Sequence, residues 1–487
     1  MDPTTDIRHH IGGSWADAGT GRTYDKLDPW SGAVFARVAA GDADDARLAV
    51  DAAAAAAPAW AGTPPGRRQE IFLRAAEALR QRHAEIRRML AAETGCGAHF
   101  AEVQLDFCVN LLRQAAGLAY AATGQILPSD LDGTRALAVR RPVGVVAAIA
   151  PWNASLVLAG RAVVAPLAVG NTVVLKPSEE APRTGGALWA ELLAGAGLPP
   201  GVLNVITHAP GEAGAVASAL IADHRVRRIS FTGSTVTGRR LAELAGRHLK
   251  RAVLQLGGHN PLLVLADADL DHAVSAAVYG AFVHSGQTCM CARRILVDRS
   301  LAAAFTARFV QRAAALPVGD PSDPATVIGP VINEWALSLL TRRVREAVDL
   351  GAELLTGGVP AGRCFPPTVL RGVPPAAELA FDETFGPVVL IEETDGVRDA
   401  VDRANSSGFG LTAGVLTSDP YRGLDLARRL QAGIVHVNDQ PVHDEPQMPF
   451  GGVKDSGAGR FGMGFAAEEF TETQWVTTRA DPRSYPF

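Results

Sequence analysis

The sequence predicts an α/β protein made of two successive units, each a mainly parallel sheet with helices on both faces. Two observations predict it. Short apolar runs with strand character alternate with longer helix-like segments through most of the chain. These runs form two series, one before residue 255 and one after it. Alternation of this kind favours parallel strands joined by crossover helices, and strands covered on both faces read as continuous apolar runs.

Residues 43–57 (ADDARLAVDAAAAAA) and 67–92 have charges spaced three to four apart and predict helices. VGVVAAIAP (143–151) is an apolar run closed by proline, as a buried strand would be, and NTVVLKP (171–177) repeats the design. GVLNVI (201–206) and RRISF (227–231) complete the first series. PLLVL (261–265), RRILVD (293–298) and GIVHVN (433–438) form the second, with helical stretches at 299–315, 335–350, 397–404 and 420–431. Glycine and proline clusters at 317–330 and 357–367 predict loops. No repeat or low-complexity linker interrupts this order.

A length of 487 residues predicts two or three domains. A net charge of −5 gives no basic surplus for nucleic acid or an anionic membrane. Five cysteines, an odd number, form no disulfide framework and fit a reducing compartment. The lone C-x-C at Cys289 and Cys291 lacks the second pair that zinc requires, so no metal is expected. The polar start MDPTTDIRHH has no signal-peptide apolar region. The longest apolar stretch, 154–169, is broken by Arg161 and Pro166 and does not reach the roughly 20 clean residues of a membrane span. A cytoplasmic protein is expected.

Three local motifs can carry chemistry. FTGSTVTG (231–238) places a glycine turn between a strand and a helix. Free backbone N–H groups and the helix dipole favour an anion such as a pyrophosphate there, although such turns are also common without one. GQTC (286–289) offers a thiol, which must ionise and be reachable to act as a nucleophile. PWN (151–153) ends a predicted strand with an amide able to stabilise an oxyanion; alone, such an asparagine is more often a turn residue.

Taken in order, PWN, VLKPSE (174–179), FTGSTVTG, LQLGGHNP (254–261), GQTC, DETFGP (382–387) and PFGGVKDSG (449–457) resemble the NAD(P)-dependent aldehyde dehydrogenase superfamily from about residue 10 to the C-terminus. The resemblance implies a Rossmann-like cofactor domain (1–119 and 141–255), a catalytic α/β domain (256–471) and an oligomerisation β-flap (120–140 and 472–487). It implies a homodimer or homotetramer acting on a small aldehyde. Cys289 would attack the aldehyde, Asn153 would hold the oxyanion, and a base in the E-L-G-G motif would activate water against the thioester. Lys176 and Glu179 would meet the adenosine ribose, Gly233 and Ser234 the pyrophosphate, and Glu383 and Phe385 the nicotinamide ribose and ring. Ile149, Trp152, Gly211 and Gly257 would complete the cofactor site. Glu179 would repel a 2′-phosphate, which favours NAD, with NADP possible.

The chain departs from this pattern at the base. Position 255 is Gln where the motif has Glu, at an unchanged interval from Cys289. An amide can position water but accepts no proton near neutral pH. Ala162 and Phe461 stand where many members carry a lysine and a glutamate of a proton path, and Arg161 cannot relay protons. Arg161, HDEPQMPFGG (443–452), GRFG (459–462) and YPF (485–487) resemble the subgroup that oxidises benzaldehyde, salicylaldehyde and vanillin. That accounts for Ala162 and Phe461 but leaves Gln255 unexplained. Asp444 and Glu445 are expected near the substrate entrance, and His259 as a surface or packing residue. Acyl transfer to coenzyme A, or a cofactor-binding scaffold with little catalysis, remain the alternatives to hydrolysis.

Overall fold

The structure, a computed structural model, describes residues 5–121 and 123–487. Residues 1–4 of the polar N-terminus and Ala122 of the expected flap lie outside it.

The four strands of the first predicted series, with Arg251–Gln255 that the sequence reading did not mark, form the centre of an eight-stranded sheet. Arg251–Gln255, Val226–Thr232, Val145–Ile149, Thr172–Lys176 and Leu203–Val205 lie side by side and parallel. The register aligns their C-terminal ends: Ile149 lies opposite both Lys176 and Phe231, and Thr232 opposite Gln255. Ligands of open α/β sheets bind outside such ends. Val145–Ile149 and Thr172–Lys176 are buried throughout, which is why they read as unbroken apolar runs.

The edges are antiparallel, which the alternation did not predict. His9–Ile11 and Ser14–Ala16 close one side. Gly457–Ala458, from the far end of the chain, pairs with Leu254 and Gln255 on the other.

The three strands of the second series join four that the sequence reading did not mark in a seven-stranded sheet, in the order Glu353–Thr356, Thr368–Arg371, Val388–Thr394, Ala292–Asp298, Asn260–Val264, Thr412–Leu416 and Ile434–Val437. All neighbours are parallel except the first pair. Only Leu256 to His259 separate the C-terminal end of a strand in the first sheet from the N-terminal end of a strand in the second. The seam between the sheets is therefore crossed at Gly257–Gly258.

The predicted helix over 67–92 is two helices, Pro65–Gln81 and His83–Thr94, because Arg82 leaves helical geometry at φ −92° and ψ 12°. Ser155–Ala168 is a helix buried on every side, Arg161 and Pro166 included. No helix among the described residues is long and apolar enough to cross a membrane. Two small sheets complete the fold. Thr5–Ile7, Val34–Ala39 and Thr23–Leu27 form one. Gln125–Leu127, Thr134–Pro142 and Thr471–Arg479 form the other, with Thr471 opposite Pro142 and Arg479 opposite Thr134.

The buried helix is packed tightly against Trp189. A Cβ at Gly160 would lie 2.3 Å from that indole ring. Gly160→Ala gains about 1 kcal/mol of helix propensity but overpacks a core where such changes cost about 1–3 kcal/mol. A net loss of stability is expected, read as a lower urea midpoint with unchanged slope.

Candidate active site

A cavity of about 460 Å³ opens at the seam, lined by Asn153, Gln255, Cys289 and Glu383 among others. It lies at the C-terminal end of the first sheet and the N-terminal end of the second. Each sheet contributes a different kind of group: the first brings strand-end amides and a helix N-terminus, the second the thiol and a carboxylate.

Cys289 is partly exposed, on the turn that enters strand Ala292–Asp298. His284, Ser285 and Gly286 precede it with φ of 52°, 53° and 68°. Such a conformation costs a non-glycine residue about 1–3 kcal/mol and persists only where its surroundings enforce it. Here His284 stacks on Phe100 with ring centroids 4.7 Å apart. Gly286 passes so close to Gly386 that a Cβ would lie 2.2 Å from the Gly386 carbonyl oxygen.

The fully buried Arg293 guanidinium donates to the carbonyls of Gly386 (2.7 Å), Thr288 (3.3 Å) and Gly286. It thereby ties the turn before Cys289 to the loop that carries Glu383 and Phe385. Asn260 adds a clamp, its Nδ2 donating to the carbonyls of Cys289 (2.7 Å) and Cys291 (2.9 Å).

Burial, and then the Glu383 carboxylate, push the Cys289 thiol up to about 12. This favours the thiol over the thiolate, which is the nucleophilic form. Burial raises Glu383 to about 7, against the opposing effect of the Gly258 N–H, which donates to its Oε1 at 3.0 Å.

Gln255 ends its strand inside the cavity and is 2 % exposed. Its Nε2 donates to the Phe450 carbonyl at 3.3 Å, and its Oε1 has no partner. A buried acceptor left free beside a polar cavity is a place for an ordered water.

Of the residues expected at a cofactor, Trp152, Gly233, Ser234, Gly257, Glu383 and Phe385 line the same cavity. Ser234 caps helix Thr235–Arg247, accepting from Thr237 N, so the helix N-terminus borders the space. Trp152 and Phe385 meet edge to face at 5.6 Å. Gly257 must be glycine, since a Cβ would lie 2.5 Å from the Glu383 carboxylate.

Ile149, Lys176, Glu179 and Gly211 are not in its lining. Ile149 and Lys176 sit at neighbouring strand ends, and Glu179 follows three residues after Lys176. Gly211 takes φ 83° in the turn before helix Ala213–Ala222.

His208 was missed by sequence reasoning. It is buried, with Nδ1 3.0 Å from the Ala209 carbonyl and Nε2 2.6 Å from Lys176 Nζ. Nδ1 then carries the proton and Nε2 accepts from the lysine. Burial and the Lys176 charge hold this imidazole down at about 4. No motif marked it.

On the other side of Phe450 lies a second cavity of about 400 Å³, which Asp444 and Glu445 line. Arg161 Nη2 donates to Asp444 Oδ2 at 2.7 Å. The guanidinium carbon sits 4.3 Å from the Phe450 ring centroid, 5.0 Å from Phe107 and 6.0 Å from Phe461. Arg161 Nε and Nη1 and Asp444 Oδ1 are buried without partners. Ala162 and Phe461 are packed core residues, so no proton path runs through them. His259, expected at the surface or in packing, is fully buried in the seam.

The sequence profile described as the aldehyde dehydrogenase family matches residues 15–476. The chain belongs to the aldehyde dehydrogenase family. A vanillin dehydrogenase of Pseudomonas fluorescens is 45% identical over 481 residues, 99% of each chain. A benzaldehyde dehydrogenase [NAD(+)] of Pseudomonas putida is 41% identical, over 97% of this chain and 96% of that one. The crystal structure of a salicylaldehyde dehydrogenase from Pseudomonas putida G7, complexed with salicylaldehyde, superposes with a TM-score of 0.96 at 37% identity, covering 99% of this chain and 100% of that one. As a member of this family the chain is an aldehyde dehydrogenase with the family fold.

Arg293 gives this dehydrogenase site a direct test. Arg293→Met leaves three buried carbonyls without their donor, at about 1–3 kcal/mol each. The variant should melt well below the parent, and iodoacetamide should alkylate Cys289 at an altered rate, read by peptide mass spectrometry at temperatures where the fold is intact.

Proposed function

We propose that the protein oxidises an aromatic aldehyde to its carboxylic acid with NAD, through a thioester on Cys289. The observation that carries this reading is the juxtaposition at one cavity of the thiol, the Asn153 amide and a helix N-terminus. Loss of the thiol proton accompanies attack of Sγ on the aldehyde carbon. The new oxyanion is met by Asn153. Loss of hydride turns the thiohemiacetal into the thioester, and water releases the acid.

The residues present fit a dinucleotide. A glycine turn opens at a helix N-terminus, and Gly257 leaves no room for a Cβ beneath Glu383. Gly233 and Ser234 would hold the pyrophosphate, Lys176 and Glu179 the adenosine ribose, and Glu383 and Phe385 the nicotinamide end. Ile149, Trp152 and Gly211 would border it. When bound, the nicotinamide accepts the hydride. Glu179 disfavours a 2′-phosphate by charge.

The cavity that holds Cys289 supports the aromatic substrate class: Phe409 and Phe450 line it, and apolar faces of this kind suit a ring. Phe107 and Phe461 line neither cavity and are packed on the buried Arg161 instead. Vanillin, benzaldehyde and salicylaldehyde dehydrogenases among the relatives accord with that choice.

Rapid mixing of enzyme, NAD and benzaldehyde should give a burst of NADH near one per Cys289, then a slower steady phase. Cys289→Ala should abolish both. Gln255→Glu should speed the steady phase by about tenfold or more, within the roughly 10²–10⁴ that a general base supplies. No burst and no turnover across many aldehydes would instead mark a cofactor-binding scaffold.

The small sheet formed with Thr471–Arg479 leaves Ile126 80% and Trp475 74% exposed. Exposed large apolar groups on a sheet suit a second copy of the chain. A homo-oligomer is expected in light scattering, and Trp475→Glu with Ile126→Glu should lower its mass.

A further inference from the structure

With Gln at position 255, something else must take the proton from the hydrolytic water. The carboxylates near Cys289 are few, and two of them are committed. Asp382 is ion-paired with Arg343, and Asp444 with Arg161. Arg343 also binds Glu378, and it donates to the backbone carbonyl of Glu383 rather than to its side chain. Among the described residues, the Glu383 carboxylate has no cation within ion-pair distance. One oxygen accepts from Gly258 N at 3.0 Å. The other lies where a Cβ on Gly257 would be, at 2.5 Å. The next residue, Gly258, packs on the Cys289 backbone, since a Cβ there would lie 2.7 Å from the Cys289 carbonyl oxygen, and Cys289 and Glu383 line the same cavity.

From this juxtaposition we propose that Glu383 is the general base that hydrolyses the Cys289 thioester in this chain. This rests on the thioester reading above. Glu383 Oε2 takes a proton from water as the water oxygen bonds to the thioester carbon. The oxyanion forms against Asn153. On its collapse the C–S bond breaks, the carboxylic acid leaves, and Glu383 returns the proton to the Cys289 thiolate. Nothing is oxidised or reduced in the step. The resting protonation states agree: a carboxylate near 7 is a usable base, and a thiol near 12 takes its proton back.

The same side chain is placed at the nicotinamide ribose in the reading above. It would therefore serve two stages in turn, and a bound nicotinamide ribose would compete with the hydrolytic water for it. In a chain with Glu at 255 those stages need not compete.

The test needs no cofactor. 4-Nitrophenyl benzoate acylates Cys289 with release of one nitrophenol, and decay of the benzoyl-enzyme is then followed by intact-protein mass spectrometry. The parent should deacylate faster as pH rises and level off above about 7, because the base acts in its ionised form. The groups facing Glu383 are Asp382 on its own loop, Arg343 on helix Glu334–Asp349, Arg293 on strand Ala292–Asp298, and Cys289.

Glu383→Gln, once benzoylated, should lose that inflection and deacylate about 10²-fold or more slowly than the parent. Gln255→Glu combined with Glu383→Gln should recover the rate. NADH should slow deacylation in the parent and not in Gln255→Glu. A Glu383→Gln enzyme that deacylates at the parent rate overturns the proposal, as does a loss that Gln255→Glu fails to rescue. Absence of the burst from the parent would remove the thioester itself, and both readings with it.

Discussion

A buried guanidinium with no carboxylate in contact holds this site together. Arg293 donates only to backbone carbonyls, two on the turn leading to Cys289 and one on the loop beyond Glu383 and Phe385. Desolvating such a charge is expensive, and carbonyl dipoles repay it only if they are aimed. Three residues in the left-handed region can persist ahead of Cys289 because that network, and the stacking of His284 on Phe100, leave the turn no other conformation. The spacing of thiol and carboxylate follows from one side chain placed on the central strand of its sheet.

Much of the fold was legible because buried parallel strands announce themselves. Val145–Ile149 and the Val-Val-Leu centre of Thr172–Lys176 are apolar since both faces are covered, while Val226–Thr232 keeps an exposed Arg227. What was not legible depends on partners distant in sequence. Gly457–Ala458 is too short to signal a strand, and it exists only because Leu254 and Gln255 present an edge. Arg82 breaks a helix without proline or glycine nearby.

At the site, the ordered motifs pointed to Cys289, Asn153 and the glycine turn, and the structure brings these together at one cavity. Arg293, Arg161 and His208 escaped functional notice or were weighed only as isolated charges. Arginine and histidine normally read as surface, and their burial is decided by carbonyls, rings and a lysine that the local sequence does not display. Gln255 was visible as an anomaly. What the sequence could not show is that a carboxylate from the neighbouring sheet lies across the same pair of glycines.

The pairing of Gly457–Ala458 with Leu254 and Gln255 also bears on biosynthesis. Strand Arg251–Gln255 emerges from the ribosome with one flank covered by Val226–Thr232 and the other open. Its last neighbour is translated roughly two hundred residues later, about 10–40 s at ordinary elongation rates. For that interval the nascent chain carries an unprotected sheet margin beside the future active centre, which is where strand-to-strand association between chains begins. Loss of Gly457–Ala458 would leave that margin open for good and would be felt first as poor recovery of folded protein rather than as slow catalysis.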